Sequence, residues 1–168
     1  MTASELAARL HRVVALEGAV YDEIAAEPEA TGQALLTVFA SAVLLGVGRM
    51  PGHGLAGLFS GLMETCLLWG LWVAAVFGIA RAIGERGEFG PLFRALGLAA
   101  MPFGFGLLER VPWLGGLAWL AKWAFLLGAF SIATSRVLRV EMLRAALICG
   151  VGLAAALLAS APLRALAP

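Results

Sequence analysis

ATGQALLTVFASAVLLGVG, residues 30–48, runs for 19 positions without a charged side chain, and AALICGVGLAAALLASAPL, residues 145–163, does the same for another 19. At about 1.5 Å of rise per residue, a helix of that length nearly crosses the ~30 Å hydrocarbon core of a bilayer. Within that core each backbone N–H and C=O must be satisfied without water, and a helix does this inside a single segment. The two runs therefore predict membrane-crossing helices in the first and last thirds of the chain.

The rest of the composition agrees. The 168 residues are 61% hydrophobic and 14% charged, against about 25% charged in an average soluble domain. Such a chain is short of the polar side chains a water-facing surface needs. Three more apolar runs separate the two quoted ones, at residues 55–80, 92–108 and 113–134. Their boundaries are turn chemistry: Gly48-Arg49-Met50-Pro51-Gly52-His53-Gly54, the polar loop 81–91, Glu109-Arg110-Val111-Pro112, and the basic loop 135–144. The expected fold is all-α: a polytopic membrane bundle of about five transmembrane helices (30–47, 55–80, 92–108, 113–134 and 145–161) within a domain spanning 30–168. Pro102, followed by Gly104 and Gly106, predicts a break in the third helix and a candidate hinge, because proline removes a backbone donor and crowds the preceding turn.

Residues 1–29 read as a short cytoplasmic segment. Leu6, Leu10, Val13 and Val14 recur at helical spacing opposite Glu5, Arg9 and Arg12, which predicts an amphipathic helix. Val20-Tyr21-Asp22-Glu23-Ile24 continues it until Pro28. Charges recur too often here for a secretory signal. Residues 1–32 hold two arginines against six acids, and helices that bind anionic lipid are usually basic. A cap on the end of the bundle, or a partner-docking role, therefore suits this segment better than a place among the headgroups. Net charge is only +1, which gives no footprint for nucleic acid. Loop arginines number eight on the side of the N-terminus and three on the other, so the N-terminus is expected inside and the C-terminus outside. The near absence of lysine beside abundant Arg, Ala and Gly suits a high-GC bacterial genome, and hence a bacterial inner membrane.

Two charges lie within the apolar runs. Glu64 is nine residues beyond Leu55 and Lys122 nine beyond Trp113, on helices expected to run the same way. Both should sit about 13–14 Å below one surface, so they are a candidate intramembrane pair. The pair would serve helix packing, or it would line a proton or ion pathway; alternatively Lys122 snorkels and the two never meet. Trp119 and Trp123 flank Lys122 and offer it a cation–π contact. Cys66 and Cys149 fall in apolar runs and are expected as small buried hydrophobes. Gly57/Gly61, Ala74/Gly78, Ala124/Gly128 and Gly152/Ala156 have the small-xxx-small spacing that lets helix backbones approach closely. His11 and His53 have no ligand neighbour at metal spacing, and HExxH, CxxC, GxSxG and P-loop patterns are all missing. Neither an enzyme nor a bound cofactor or metal is expected.

Two blocks carry a family likeness. One is Val20-Tyr21-Asp22-Glu23-Ile24 with Glu27-Pro28-Glu29-Ala30-Thr31-Gly32-Gln33-Ala34. The other is Glu88-Phe89-Gly90-Pro91-Leu92-Phe93-Arg94-Ala95-Leu96-Gly97 with Met101-Pro102, Val111-Pro112 and Leu114-Gly115-Gly116. In these the chain resembles the bacterial branch of the Yip1-domain membrane proteins. The resemblance implies a five-helix bundle with a cytoplasmic N-terminus and brings no catalytic residue with it. The functional expectation is a non-enzymatic membrane scaffold or accessory subunit, partnered by lipid and by other membrane proteins or further copies of itself. The alternative is a small proton- or ion-linked transporter or channel using Glu64 and Lys122.

Overall fold

The computed structural model describes residues 3–165. Its elements are α1 (Ala3–Val14), α2 (Gly18–Ala26), α3 (Ala30–Ala82), α4 (Phe89–Ala99), a 3-10 segment (Met101–Arg110), α5 (Gly115–Leu138) and α6 (Met142–Ala165), with no strand among the described residues. Four stretches are long and apolar enough to cross a membrane: α3, Phe89–Glu109, α5 and Met142–Ala161. Large apolar side chains such as Phe39, Leu55, Phe59, Met63, Leu120, Leu143 and Leu158 stand exposed around them, as suits a bundle surrounded by lipid. The fold is an all-α bundle of membrane type.

A straight helix of 53 residues would be about 80 Å long. Instead α3 folds back on itself at Gly54, whose φ of 56° and ψ of −143° leave the helical region. That conformation is open to glycine and strongly disfavoured for residues with a Cβ. Its two arms, residues 30–53 and 55–82, run antiparallel and are each long enough to span, so α3 supplies two of about five crossings. Helix persists to residue 53, not 47, and the expected seven-residue turn shrinks to one residue. Small residues close the hairpin. A Cβ at Gly61 would lie 2.5 Å from the Cα of Gly46, and one at Gly57 would lie 2.7 Å from the Arg49 carbonyl oxygen. The arms thus meet backbone to backbone.

The third apolar run also departs from expectation. It begins at Phe89, with Pro91 in the first turn, and its α-helical part ends at Ala99. From Met101 the chain continues as a 3-10 helix. Pro102 has no N–H to give to the carbonyl of Leu98, and Gly104 and Gly106 favour α-helix least among residues other than proline. The break is therefore a change of helix type rather than a simple kink. α5 ends at Arg139, which is left-handed (φ 54°, ψ 42°). There Val140 N–H donates to the Ser135 carbonyl, and the Ser135 hydroxyl donates to that of Val140.

Where α3 starts and α5 ends, α1 and α2 close the bundle. Val13, Val20, Tyr21 and Ile24 are buried, with α2 against α4 and α5. Arg94 donates to the carbonyls of Ile24 (3.2 Å) and Ala25 (2.5 Å), placing a cation at the negative end of α2. The core between the second arm, α5 and α6 is built on Trp72. Its ring stacks on Phe130 at 3.9 Å, and its indole N–H donates to the Cys149 carbonyl at 2.9 Å.

Gly61→Val should lower the stability of the purified protein by about 1–3 kcal/mol or prevent folding, because the added carbons meet backbone. Gly70→Val, with nothing within 4 Å of its would-be Cβ, should change it by about 0.5 kcal/mol at most. Thermal unfolding of both variants in one detergent checks the contrast; equal effects would refute the close approach of the arms.

Candidate functional site

Glu64 and Lys122 do not pair with each other. Arg49 Nη1 donates to Glu64 Oε2 at 2.6 Å, and Lys122 Nζ lies 2.5 Å from Glu109 Oε1. The expectation matched the two residues by depth and had no information on which way each helix faces. The hairpin turns Glu64 toward the first arm, where Arg49, read as a turn residue, sits in the last helical turns. Glu109, also expected in a turn, lies in the last turn of the 3-10 segment and reaches α5. What was legible is that each partner is an opposite charge bordering a span, within reach of a side chain that extends along the helix.

The two pairs differ in burial. The Arg49 and Glu64 side chains are 30% and 31% exposed, whereas Lys122 is 8% and Glu109 25%. The Lys122 ammonium also lies 5.2 Å from the centre of the Trp123 ring. Of the two flanking tryptophans, Trp123 supplies the cation–π contact, and Trp119 is half exposed. Both pairs lie at the hairpin end of the bundle, where a Cβ on Gly48 would be 3.0 Å from the Cα of Leu107.

The candidate hinge residues lie along this seam. Pro102 is the second residue of the 3-10 segment, Gly104 rests on Leu44, and Gly106 abuts the Leu45 side chain. The Ser41 hydroxyl donates to the Met101 carbonyl at 3.2 Å. Of the four small-xxx-small pairs, Gly57/Gly61 and Gly152/Ala156 pack inside the molecule, and Ala74/Gly78 and Ala124/Gly128 do not. Gly57 and Gly61 close the hairpin, Gly152 lies against Val76 and Trp72, and Ala156 is buried.

Small-residue faces are left over on α5, where Ala124 is exposed and nothing lies within 4 Å of a Cβ on Gly128, on α6 at Gly150 and Ala154, and along the second arm, where the run is longest. Cys66, Gly70, Ala74 and Gly78 follow one another at intervals of four along the second arm. Cys66, Ala74 and Gly78 are exposed, and nothing lies within 4 Å of a Cβ on Gly70 or Gly78. Cys149 is buried as expected, but Cys66 is not. It opens onto an apolar groove of about 600 Å³ between the arms, lined also by Gly32, Leu35, Leu36, Phe39 and Trp69. Among the described residues no three His, Cys, Asp or Glu side chains converge as metal ligands.

At the capped end the ions form a surface lattice. Arg12 bridges Glu17 (2.9 Å) and Glu23 (2.8 Å), and Arg9 joins Glu27 (2.5 Å) to the Gln33 amide oxygen (2.8 Å). Hydrogen bonds from Arg12 hold the Glu17 and Glu23 carboxyls below the ordinary value of 4.5, and they in turn raise the guanidinium. Burial pushes the Tyr21 phenol up. Comparison of the chain with protein-family models, curated proteins and solved structures finds no match.

Lowered carboxyl values stabilise the fold above the unfolded value and lose that contribution as pH falls through the folded one. Acidification below 4.5 should therefore loosen α1 while the buried Val20, Tyr21 and Ile24 keep α2 docked. Limited proteolysis by an acid-active protease checks this. Cleavage within residues 3–16 should increase as pH falls from 5 to 3, and should already be high at pH 5 in Arg12→Met; equal cleavage at both pH values in the unaltered protein would refute it.

Proposed function

We infer that this chain is a non-enzymatic scaffold or accessory subunit of a bacterial inner membrane, with its capped end cytoplasmic, acting by packing against another membrane protein or a further copy of itself. The observation that carries this reading is the face Cys66–Gly70–Ala74–Gly78. Gly57/Gly61 and Gly152/Ala156 are consumed inside the bundle, whereas this face, the longest of those that look outward, runs beside the groove between the arms. Without a hydrophobic drive between helices in lipid, association depends on close van der Waals packing, which small residues permit. The excess of loop arginines on the N-terminal side supports the orientation. The likeness of residues 20–34 and 88–116 to Yip1-domain proteins supports membership of that bacterial branch.

The transporter reading keeps little support. It required Glu64 and Lys122 to share a pathway, and each is engaged by a different partner, Arg49 and Glu109.

Gly70→Leu with Gly78→Leu tests the scaffold. After mild solubilisation from its native membrane, the unaltered protein should migrate as an assembly larger than 17.5 kDa plus detergent. The double variant should melt at the same temperature but lose the additional mass. An assembly unchanged by both leucines would sink this reading.

A further inference from the structure

The fifteen residues from Met101 to Gly115 combine three features that the scaffold role does not require. The first is the length of the 3-10 helix, ten residues, where runs beyond three or four are uncommon and mark a hinge or a sequence under strain. The second is Trp113, which is fully exposed with a φ of 74°. Bulky side chains strongly disfavour that left-handed conformation, and no buried contact of its ring compensates for it. The third is the Lys122–Glu109 ion pair, the more buried of the two at this end. The pair fastens the far end of the 3-10 segment to α5, while the Ser41–Met101 hydrogen bond fastens the near end to α3.

We propose that Met101–Arg110 is a two-state element, held in its extended 3-10 form by its glycines and the Lys122–Glu109 latch together, and able to shorten to α-helix when the latch opens. That α-helix starts at Met101 and so keeps Pro102 in its first turn, where no N–H is needed. The geometry of the two helices sets the size of the change. A 3-10 helix rises 2.0 Å per residue with three residues per turn, and an α-helix 1.5 Å with 3.6. With Met101 pinned, conversion draws Glu109 about 4 Å back along the axis and turns it by about 160°. Glu109 cannot stay on Lys122 through that movement, so latch and helix type are coupled. The shortened segment pulls on the Val111–Leu114 turn, which holds the left-handed Trp113. It also slides Gly104 and Gly106 along Leu44 and Leu45, positions where the missing Cβ leaves the seam with the first arm smooth. Release of the latch thus becomes a change in how the hairpin end of the bundle is packed.

Spin labels at positions 108 and 120 (Leu108→Cys, Leu120→Cys, in a Cys66→Ser, Cys149→Ala background) read the element in lipid vesicles by pulsed dipolar spectroscopy. One narrow distance is expected with the latch intact. Lys122→Met should add a second population displaced by about 4 Å or more, and the exchange Glu109→Lys with Lys122→Glu should restore the single distance. One unchanged distance in Lys122→Met overturns the proposal. So does a second population that the exchanged pair does not remove, which would assign the effect to lost packing. If Lys122→Met does not fold, hydrogen exchange of the unaltered protein decides. Amides of residues 103–110 exchanging roughly tenfold or more faster than those of residues 119–134 support a two-state segment, and equal protection overturns it.

Discussion

The contact between the two arms of α3, glycine against backbone at Gly46, Gly57 and Gly61, underlies every other feature of the bundle. It depends on one residue, Gly54, leaving the helical region and turning the chain back within a single position. The hairpin brings Glu64 to Arg49, which would be about 22 Å away along a straight helix. It forms the groove that opens onto Cys66. Beside it the first arm presents Ser41, Leu44, Leu45 and Gly48, aligned by helical spacing, as the track on which the 3-10 segment lies.

Within this frame the polar groups act as fasteners. Trp69 donates to the Leu96 carbonyl, Trp72 to that of Cys149, and Thr134 shares a hydrogen bond with the Cys149 thiol. In an apolar surrounding an unmatched polar group is costly, so each such bond favours one helix arrangement over its alternatives. The charges have moved to the two ends. The capped end carries an exposed lattice of arginines and acids that fastens α1 and the start of α3, and the hairpin end carries two pairs that fasten the turns. Cap and hairpin end thus use the same chemistry at different burial, and burial decides which pair is worth more when broken.

Helices were legible wherever hydrophobicity alone determines structure. The uncharged run from Ala30 and the apolar run ending at Thr134 announce helices, because lipid leaves so apolar a segment of that length few other folds. The site was less legible. Matching Glu64 with Lys122 used axial position, which a sequence carries, without azimuth, which depends on how the helices pack. Glycine and proline around Arg49 and Glu109 read as loop; in the structure the helix runs through Arg49 to residue 53, and the 3-10 helix carries Glu109 before the turn that holds Pro112. Pro102 did mark a break, but a kink and a change to 3-10 geometry leave the same trace in sequence. The outward face Cys66–Gly70–Ala74–Gly78 has the same spacing as Gly57/Gly61, so only packing separates an internal contact from an external one.

The hairpin is the claim on which the rest stands, and Cys66 offers a direct test of it. Phe39 faces the same groove from the opposite arm, so in a Phe39→Cys, Cys149→Ala protein held in lipid vesicles the two thiols should be joined within one chain by a short bifunctional maleimide. A continuous helix would hold them about 40 Å apart. Intramolecular cross-linking in most molecules is the predicted result; thiols that react singly but never join would contradict the fold and everything built on it.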